Sequence, residues 1–476
     1  MAAASSTADP RNGKGFRPAG TSRAMIGVVG GGIAGLAAAY RLQGHGHEVQ
    51  VFEASDRIGG LAATYETAGD PIERFYHHLS KSERTIVDLA DDLGLGDALE
   101  WRVGRNAYYV DGVVHPLDTW SQILAYPHLS VYDKFRLGLL VLGVDLRGGV
   151  PTRDTYADFR DFDDEPIEEF VLEHTTRGVL EHFFEPLLEA KFGDRWREVS
   201  AAWLLARVRF RGERDLRRGE ILGYLEGGFG TLLEALLAAV GPENVTTGAR
   251  VTDLATADGA VESLTVDTAD GTTTHDVDAV VVATMPTVLE ALTDYTCDVE
   301  FQGTVCSVIA MDESLTDTYW LNVAEDAPFG ALIEHTNFVP AERYGGEHLL
   351  YAVKYVQDET DPLWQRDDAG VEDAWLDGIE DLFPDFDRDA VSWIRTARNP
   401  RTAPVYERGY LDLVIPYDLG EAVAEGVYYA GMASRAQYPE RSLNGGIEAG
   451  FACADRIADA SETVEPAVPS GTGSGS

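Results

Sequence analysis

The sequence predicts an α/β protein: a Rossmann-like dinucleotide-binding domain interleaved with an α+β substrate domain made of a mixed sheet and a helical insertion. Three observations carry this. Met25 to Val29, then Gly30-Gly31-Gly32, then an Ala/Leu-rich stretch read as strand, tight turn and helix, with Gly30, Gly32 and Gly35 in the G-x-G-x-x-G frame. A second strand, Glu48 to Phe52, delivers Glu53 where a ribose-binding acid is needed. Far downstream, Ala279 to Val282 and Gly426 to Met432 are apolar runs of the kind required by strands buried on both faces of a parallel sheet.

Each glycine has its own task. Gly30 lets the chain turn sharply, Gly32 lets the backbone approach a pyrophosphate, and Gly35 lets the helix pack closely on the strand. Ile33 and Ala34 open the helix, expected over 33–44, whose unpaired N–H groups point at the phosphates. A carboxylate at Glu53, followed by Ala54, accepts from the ribose hydroxyl pair and argues against a 2′-phosphate.

The chain has 476 residues, enough for about two or three domains, and its apolar content supports real interiors. Its 38 basic and 80 acidic residues give a formal charge of −42, which excludes a general nucleic-acid surface. The acids are spread along the whole chain, as on the solvated surfaces of proteins in salt-rich cytoplasm, and only Lys14, Lys81, Lys134, Lys191 and Lys354 are lysines. Cys297, Cys306 and Cys453 form no C-x-x-C pair, so neither a metal site nor a disulfide framework is expected, in keeping with a reducing, cytoplasmic setting. Residues 1–24 and 460–476 are low-complexity and read as a disordered arm and tail. The longest apolar run, Leu137 to Leu146, is too short to span a bilayer and reads as core or as the wall of an apolar pocket. The net charge disfavours contact with anionic lipid, and nothing in the sequence sets an oligomeric state.

After Glu53 the chain continues Ala54-Ser55-Asp56-Arg57-Ile58-Gly59-Gly60-Leu61, a glycine pair that lets a long cofactor pass close to the backbone. Here the sequence resembles the FAD-dependent amine oxidase and protoporphyrinogen oxidase superfamily, with its GR2-type FAD-binding domain. The resemblance implies that Arg57, Gly59, Gly60 and Leu61 lie along the pyrophosphate and ribityl chain. Tyr76-His77-His78 resembles the branch that includes UDP-galactopyranose mutase-like proteins. Adjacent side chains on a helix or strand do not point the same way, so at most one of His77 and His78 is expected to face the site, either at the flavin edge as a proton shuttle or as a structural histidine bonded to backbone.

Ala107 to Pro116 reads as a hairpin about an Asp111-Gly112 turn, and Trp120 to Leu222 as helical, similar to the superfamily's insertion. An amphipathic helix over 231–240 leads to Val251, whose counterpart in relatives contacts the adenine. Turns at Asp258-Gly259 and Asp270-Gly271 divide a meander that ends in Ala283-Thr284-Met285-Pro286, similar to a further cofactor-side motif, with Ala283 and Thr284 as contacts. Strands over 305–311, 319–324, 329–335 and 348–356 should form the sheet over the flavin. Amine oxidases often hold a lysine near flavin N5, a role open to Lys354, although the branch that this chain resembles commonly lacks that lysine. An acidic helix precedes Arg401, a candidate for an anionic substrate group or for a local ion pair, and Tyr406, in a Pro-x-Tyr that similar proteins carry beside the active-site mouth. Gly431, Met432, Gly446 and Ile447 match the last FAD motif, where a helix starting near Gly445 and running to about Ile457 favours the negative charge that grows on the reduced ring.

The resemblance covers about residues 25 to 458. It implies an FAD-binding domain from 25–75, 222–290 and 415–459, and a substrate domain from 76–221 and 291–414. The expected activity is that of an FAD-dependent oxidoreductase, with FAD held non-covalently and no metal, taking a hydride equivalent from a small organic substrate to flavin N5. The alternatives are a UDP-galactopyranose mutase-like flavin-dependent isomerase and an FAD-binding protein without chemistry of its own. No second G-x-G-x-x-G is present, so electrons are expected to leave to oxygen or another carrier rather than to NAD(P).

Overall fold

A computed structural model describes residues 24–144, 160–210, 214–215 and 219–463. Most of the expected arm and tail, and the end of the apolar run at Asp145 and Leu146, lie outside the described residues. At the centre is a five-stranded, wholly parallel sheet. Its strands run Val245–Thr246, Glu48–Phe52, Met25–Val29, Ala279–Val282 and Val427–Tyr429 across the sheet. Ile26, Val28, Val280, Val281 and Val282 are wholly buried, as strands covered on both faces require. Helix Ile33–Gly44 spans the expected residues and packs on the terminal helix Leu443–Thr463, where a side chain at Gly450 would strike the Ala34 carbonyl. Arg41 and Asp455 join the same two helices across 414 positions of sequence.

The second large element is a seven-stranded mixed sheet, ordered Val391–Pro404, Phe301–Met311, His348–Val356, Ala331–Glu334, Trp320–Val323, Asn106–Val110 and Val113–Pro116. All of its pairings are antiparallel except Trp320–Val323 with Asn106–Val110. The hairpin turn falls at Asp111-Gly112, both at positive φ, and so the hairpin extends the sheet expected to cover the cofactor. The meander forms its own three-stranded sheet, Arg250–Ala257, Ala260–Thr268 and Gly271–Asp276.

Buried Glu73 ties these parts together. Its carboxylate accepts from Tyr224 Oη and from Phe229 N, both at 2.6 Å, while its own carbonyl accepts from Tyr351 Oη at 2.7 Å. Burial raises its pKa, and the two bonds to its oxygens oppose that shift.

Two sequence expectations change. The segment expected to be helical to Leu222 ends in strand Gly219–Leu225, which pairs with Leu99–Gly104 and Leu79–Ser80, because tertiary pairing overrides the helical composition before it. The acidic helix, Asp368–Leu382, is followed by a long strand, Val391–Pro404, held in register by Phe301–Met311. The apolar run belongs to helix Val131–Leu142, which buries Leu137 and Leu140 but leaves Val131 85% and Phe135 57% exposed, so only one stripe of it is core.

Candidate active site

Gly30, Glu53, Ala283 and Gly431 all lie just beyond the carboxyl ends of parallel strands, the edge where open α/β sheets bind ligands. Gly30 sits at φ +108°, and a side chain there would come within 2.7 Å of the Ala283 carbonyl. At Gly32 an added Cβ would meet nothing within 4 Å, and at Gly60 it would meet only Gly32 Cα at 3.7 Å. These two glycines bound an open groove at the start of helix Ile33–Gly44, whose first turn has no acidic residue and no side-chain cap. With its N–H groups unpaired and its carboxylates absent, that helix end suits a pyrophosphate. Glu53 is fixed beside it: Oε2 accepts from Gly31 N at 2.7 Å, and Oε1 from Ser55 N at 2.8 Å and Ser55 Oγ at 2.7 Å. A carboxylate has about four acceptor positions, so about one is left for a ribose hydroxyl. The groove, the helix end and the acid fit FAD.

The groove opens into a cavity of ≈ 360 Å³. Of the residues expected to hold cofactor, Gly32, Ile33, Ala34, Gly59, Gly60, Leu61, Ala283, Thr284, Gly431, Met432 and Gly446 line it. Gly30, Gly35 and Ile447 stand behind, in the turn and the packing, and Glu53, Ala54, Arg57 and Val251 are not on its wall. Arg57 is exposed beside Asp56 and Val251 pairs with Val266. None of the three cysteines lines the cavity.

Both His77 and His78 line it, against the expectation of at most one. Residues 74–78 form neither helix nor strand, so the alternation that separates neighbours does not apply. His77 Nδ1 lies 2.6 Å from the Phe75 carbonyl and must be the protonated nitrogen, which leaves Nε2 as an acceptor. Burial, helped by Arg441, lowers its pKa to about 4, so the ring is neutral. His78 Nδ1 bonds Tyr319 Oη at 2.9 Å.

The other two catalytic candidates are elsewhere. Arg401 is exposed and is not on the cavity wall. Tyr406 is wholly buried behind the wall, and its hydroxyl donates to the Gln437 carbonyl at 3.0 Å. Lys354 pairs with Asp361 at 3.2 Å, while its strand neighbours Val353 and Tyr355 line the cavity, as the alternation of a strand requires.

Sequence reasoning missed a buried charged cluster at the far end of the cavity. Helix Glu185–Phe192 supplies Lys191, helix Ala201–Phe210 supplies Trp203 and Arg207, and the loop before the terminal helix supplies Glu440 and Arg441. Lys191 Nζ donates to both oxygens of Glu440, at 2.6 and 2.9 Å; Trp203 Nε1 at 2.8 Å and Arg207 at 3.1 Å donate to Oε2. Burial alone would raise the Glu440 pKa, but Lys191 and Arg207 bring it down to about 2. Burial lowers that of Lys191 against the pull of Glu440. The side chain of Glu440 keeps 28% of its accessible area and that of Lys191 9%. Both residues line the cavity, so their remaining exposure faces its interior.

Tyr76 and Tyr355 bond Oη to Oη at 2.9 Å, and Arg441 reaches Tyr355 Oη at 3.4 Å. Burial would raise both phenols, and it does raise Tyr76. At Tyr355, however, Arg441 and Lys191 outweigh burial and hold the hydroxyl below its ordinary value. The one sequence signal for this cluster was the rarity of lysine, which makes Lys191 conspicuous.

Residues 33–458 match the model of the flavin containing amine oxidoreductase family. Over 166 residues the chain is 28% identical to protoporphyrinogen oxidase 2, chloroplastic/mitochondrial, of Arabidopsis thaliana; the match covers 34% of this chain and 31% of that protein, so the chain spans about a third of this curated relative. A solved structure from Exiguobacterium sp. 255-15, provisionally described as a protoporphyrinogen oxidase, superposes with TM-score 0.72 at 21% identity over 93% of this chain and 100% of that one. Reduced UDP-galactopyranose mutase superposes with TM-score 0.68 at 17% identity over 92% of this chain and 96% of that one. At these identities the structural likeness is one of fold.

Proposed function

Because the chain belongs to the flavin containing amine oxidoreductase family, we propose that it is an FAD-dependent oxidoreductase that oxidises a small organic molecule. The observation that carries this reading is the continuity of the cavity. Gly32, Gly60 and Gly431 line one part of the same space that Tyr76, Tyr355 and Arg441 line elsewhere. Bound flavin supplies a two-electron acceptor.

The chain's own residues do the rest. Trp320, Val353 and Tyr355 press an apolar and aromatic wall on the space and exclude water. Arg441 and the Tyr76–Tyr355 pair orient a polar substrate. Tyr355 Oη, the more acidic phenol of the pair, takes up the substrate proton when ionised, and neutral His77 Nε2 accepts a hydrogen bond. The division of labour expected from the sequence belongs to the same proposal: segments 25–75, 222–290 and 415–459 hold the cofactor. What supports it is that the five parallel strands all fall within them. The charge of −42 supports a salt-rich cytoplasm as the working medium. Among the described residues no helix is long and apolar enough to cross a membrane.

The test is anaerobic. Oxidised holoenzyme is mixed with amines, porphyrinogens and isoprenoids, and flavin absorbance is followed. Bleaching by one class, reversed by air, supports the reading and names the class. A second reading, isomerisation of a nucleotide sugar, is favoured by the meeting of Tyr76, Tyr355 and Arg441, hydroxyls and a guanidinium suited to phosphate. Turnover of a UDP-sugar by dithionite-reduced enzyme alone, with no net electron flow, replaces the first reading with the second.

A further inference from the structure

The part-buried Arg343 has Asp70 and Glu100 at hand, and Arg207 on the cavity wall has Glu440. Arg441, on the same wall, differs from both. Among the described residues no carboxylate forms an ion pair with it, although the charge of Glu440 acts on it from farther away. Its NH2 reaches Tyr355 Oη only at 3.4 Å, and its buried Nε has no hydrogen-bond partner. The carboxylate next to it in sequence, Glu440, is already engaged by Lys191, Trp203 and Arg207. Three cations therefore surround one anion, and two positive charges are left over in a buried space. Glu83 is the other carboxylate on the cavity wall, and its Oε2 accepts from Ser80 N at 2.7 Å.

A buried guanidinium without an anion is costly, and its fork of donors matches the oxygens of a carboxylate or phosphate. The pyrophosphate of a dinucleotide has its own place at Gly32 and Gly60, served by backbone and helix end. A cationic amine would add a fourth positive charge to the cluster. We propose that the substrate is an organic anion whose carboxylate or phosphate oxygens bind Arg441 beside the Tyr76–Tyr355 pair. This rests on the reading that the cavity is the substrate site, and it deepens that reading.

The test uses FAD-loaded protein at constant KCl and three probes that share one ring: benzoate, phenyl phosphate and benzylamine. Dissociation constants come from titration calorimetry and the FAD-to-protein ratio from absorbance. One of the two anions should bind at least about tenfold more tightly than benzylamine, and the preferred anion tells carboxylate from phosphate. Arg441→Gln should weaken that anion by about tenfold or more while FAD content stays unchanged and benzylamine binding does not weaken. Should Arg441→Gln fail to fold, Arg441→Lys, which keeps the charge and loses the fork, should weaken it by about threefold or more. Benzylamine binding as tightly as both anions overturns the proposal, as does anion affinity unchanged in the variant that folds. The readout needs no turnover. A holoenzyme that binds anions through Arg441 but is bleached by no substrate sinks the oxidoreductase reading alone; one that is bleached by an amine and ignores both anions sinks the anion site alone.

Discussion

Tyr76 and Tyr355 share a hydrogen bond, Oη to Oη at 2.9 Å, across 279 positions of sequence. One of the two must donate, and Arg441 and Lys191 decide which by stabilising negative charge on Tyr355. In an ultraviolet pH titration of the holoenzyme, one phenol should ionise below the ordinary tyrosine value of about 10. That component should vanish in Tyr355→Phe and persist in Tyr76→Phe. The same titration in both variants would show the assignment to be wrong.

The groove at Gly32 predicts a yellow protein. Denaturation should release free FAD, because no cysteine lines the cavity to form a thioether. Gly32→Trp fills the open space and should reduce flavin content to near zero while far-ultraviolet circular dichroism is unchanged. Full flavin content in that variant places the cofactor elsewhere.

Glu440→Gln leaves Lys191 and Arg207 without a buried counterion. Removal of one partner of a buried ion pair costs about 3–5 kcal/mol. Urea unfolding of the variant should show a loss of that size, whereas Arg401→Gln, at an exposed position, should change stability by less than about 0.5 kcal/mol.

His335 is buried against Tyr344 Oη at 2.7 Å, and burial, with Arg343, lowers its pKa from 6.5 to about 3. Between those values the unfolded chain binds a proton that the folded chain does not. Its contribution to stability is therefore full above pH 6.5 and lost as pH falls toward 3, by up to about 1.4 kcal/mol per pH unit. His77 acts in the same direction down to about 4. The difference in unfolding free energy between wild type and His335→Gln should shrink as pH drops from 7 to about 5; a constant difference would mean that the folded chain takes up the His335 proton as the unfolded one does.

With a net charge of −42, self-repulsion opposes compaction at low ionic strength. The melting temperature should climb with KCl as the Debye length falls to about 3 Å at 1 M. A flat profile would detach the acidic composition from any role in salt.

The cofactor edge was legible because each of its parts is local. The Gly30–Gly35 turn, the strand ending at Glu53 and the Gly59-Gly60 pair announce themselves within a few residues of sequence. The substrate end was not, because it is assembled from distance. Lys191 and Arg207 come from different helices and Tyr355 from a strand whose facing depends on register. Glu440 and Arg441 lie in a loop with no periodicity. Arg401 and Tyr406 share a short motif, but Arg401 is exposed near the end of strand Val391–Pro404 and Tyr406 lies past that end in the core, a difference set by packing and not by the motif. His77 and His78 lie on irregular backbone, which does not obey the alternation of a helix or strand.

The packing of the first helix on the last sets a timetable for synthesis. Arg41 leaves the ribosome 414 residues before Asp455, an interval of about 20–80 s at ordinary translation rates. During that time the face of helix Ile33–Gly44 that meets Gly446 and Gly450, including Ala34 and Ala38, has no partner of its own to cover it. Strand Ala279–Val282 likewise waits for Val427–Tyr429. The nascent chain therefore carries an uncovered apolar helix and an open sheet edge until its final segment emerges, and a chaperone that binds such surfaces has this window in which to hold it.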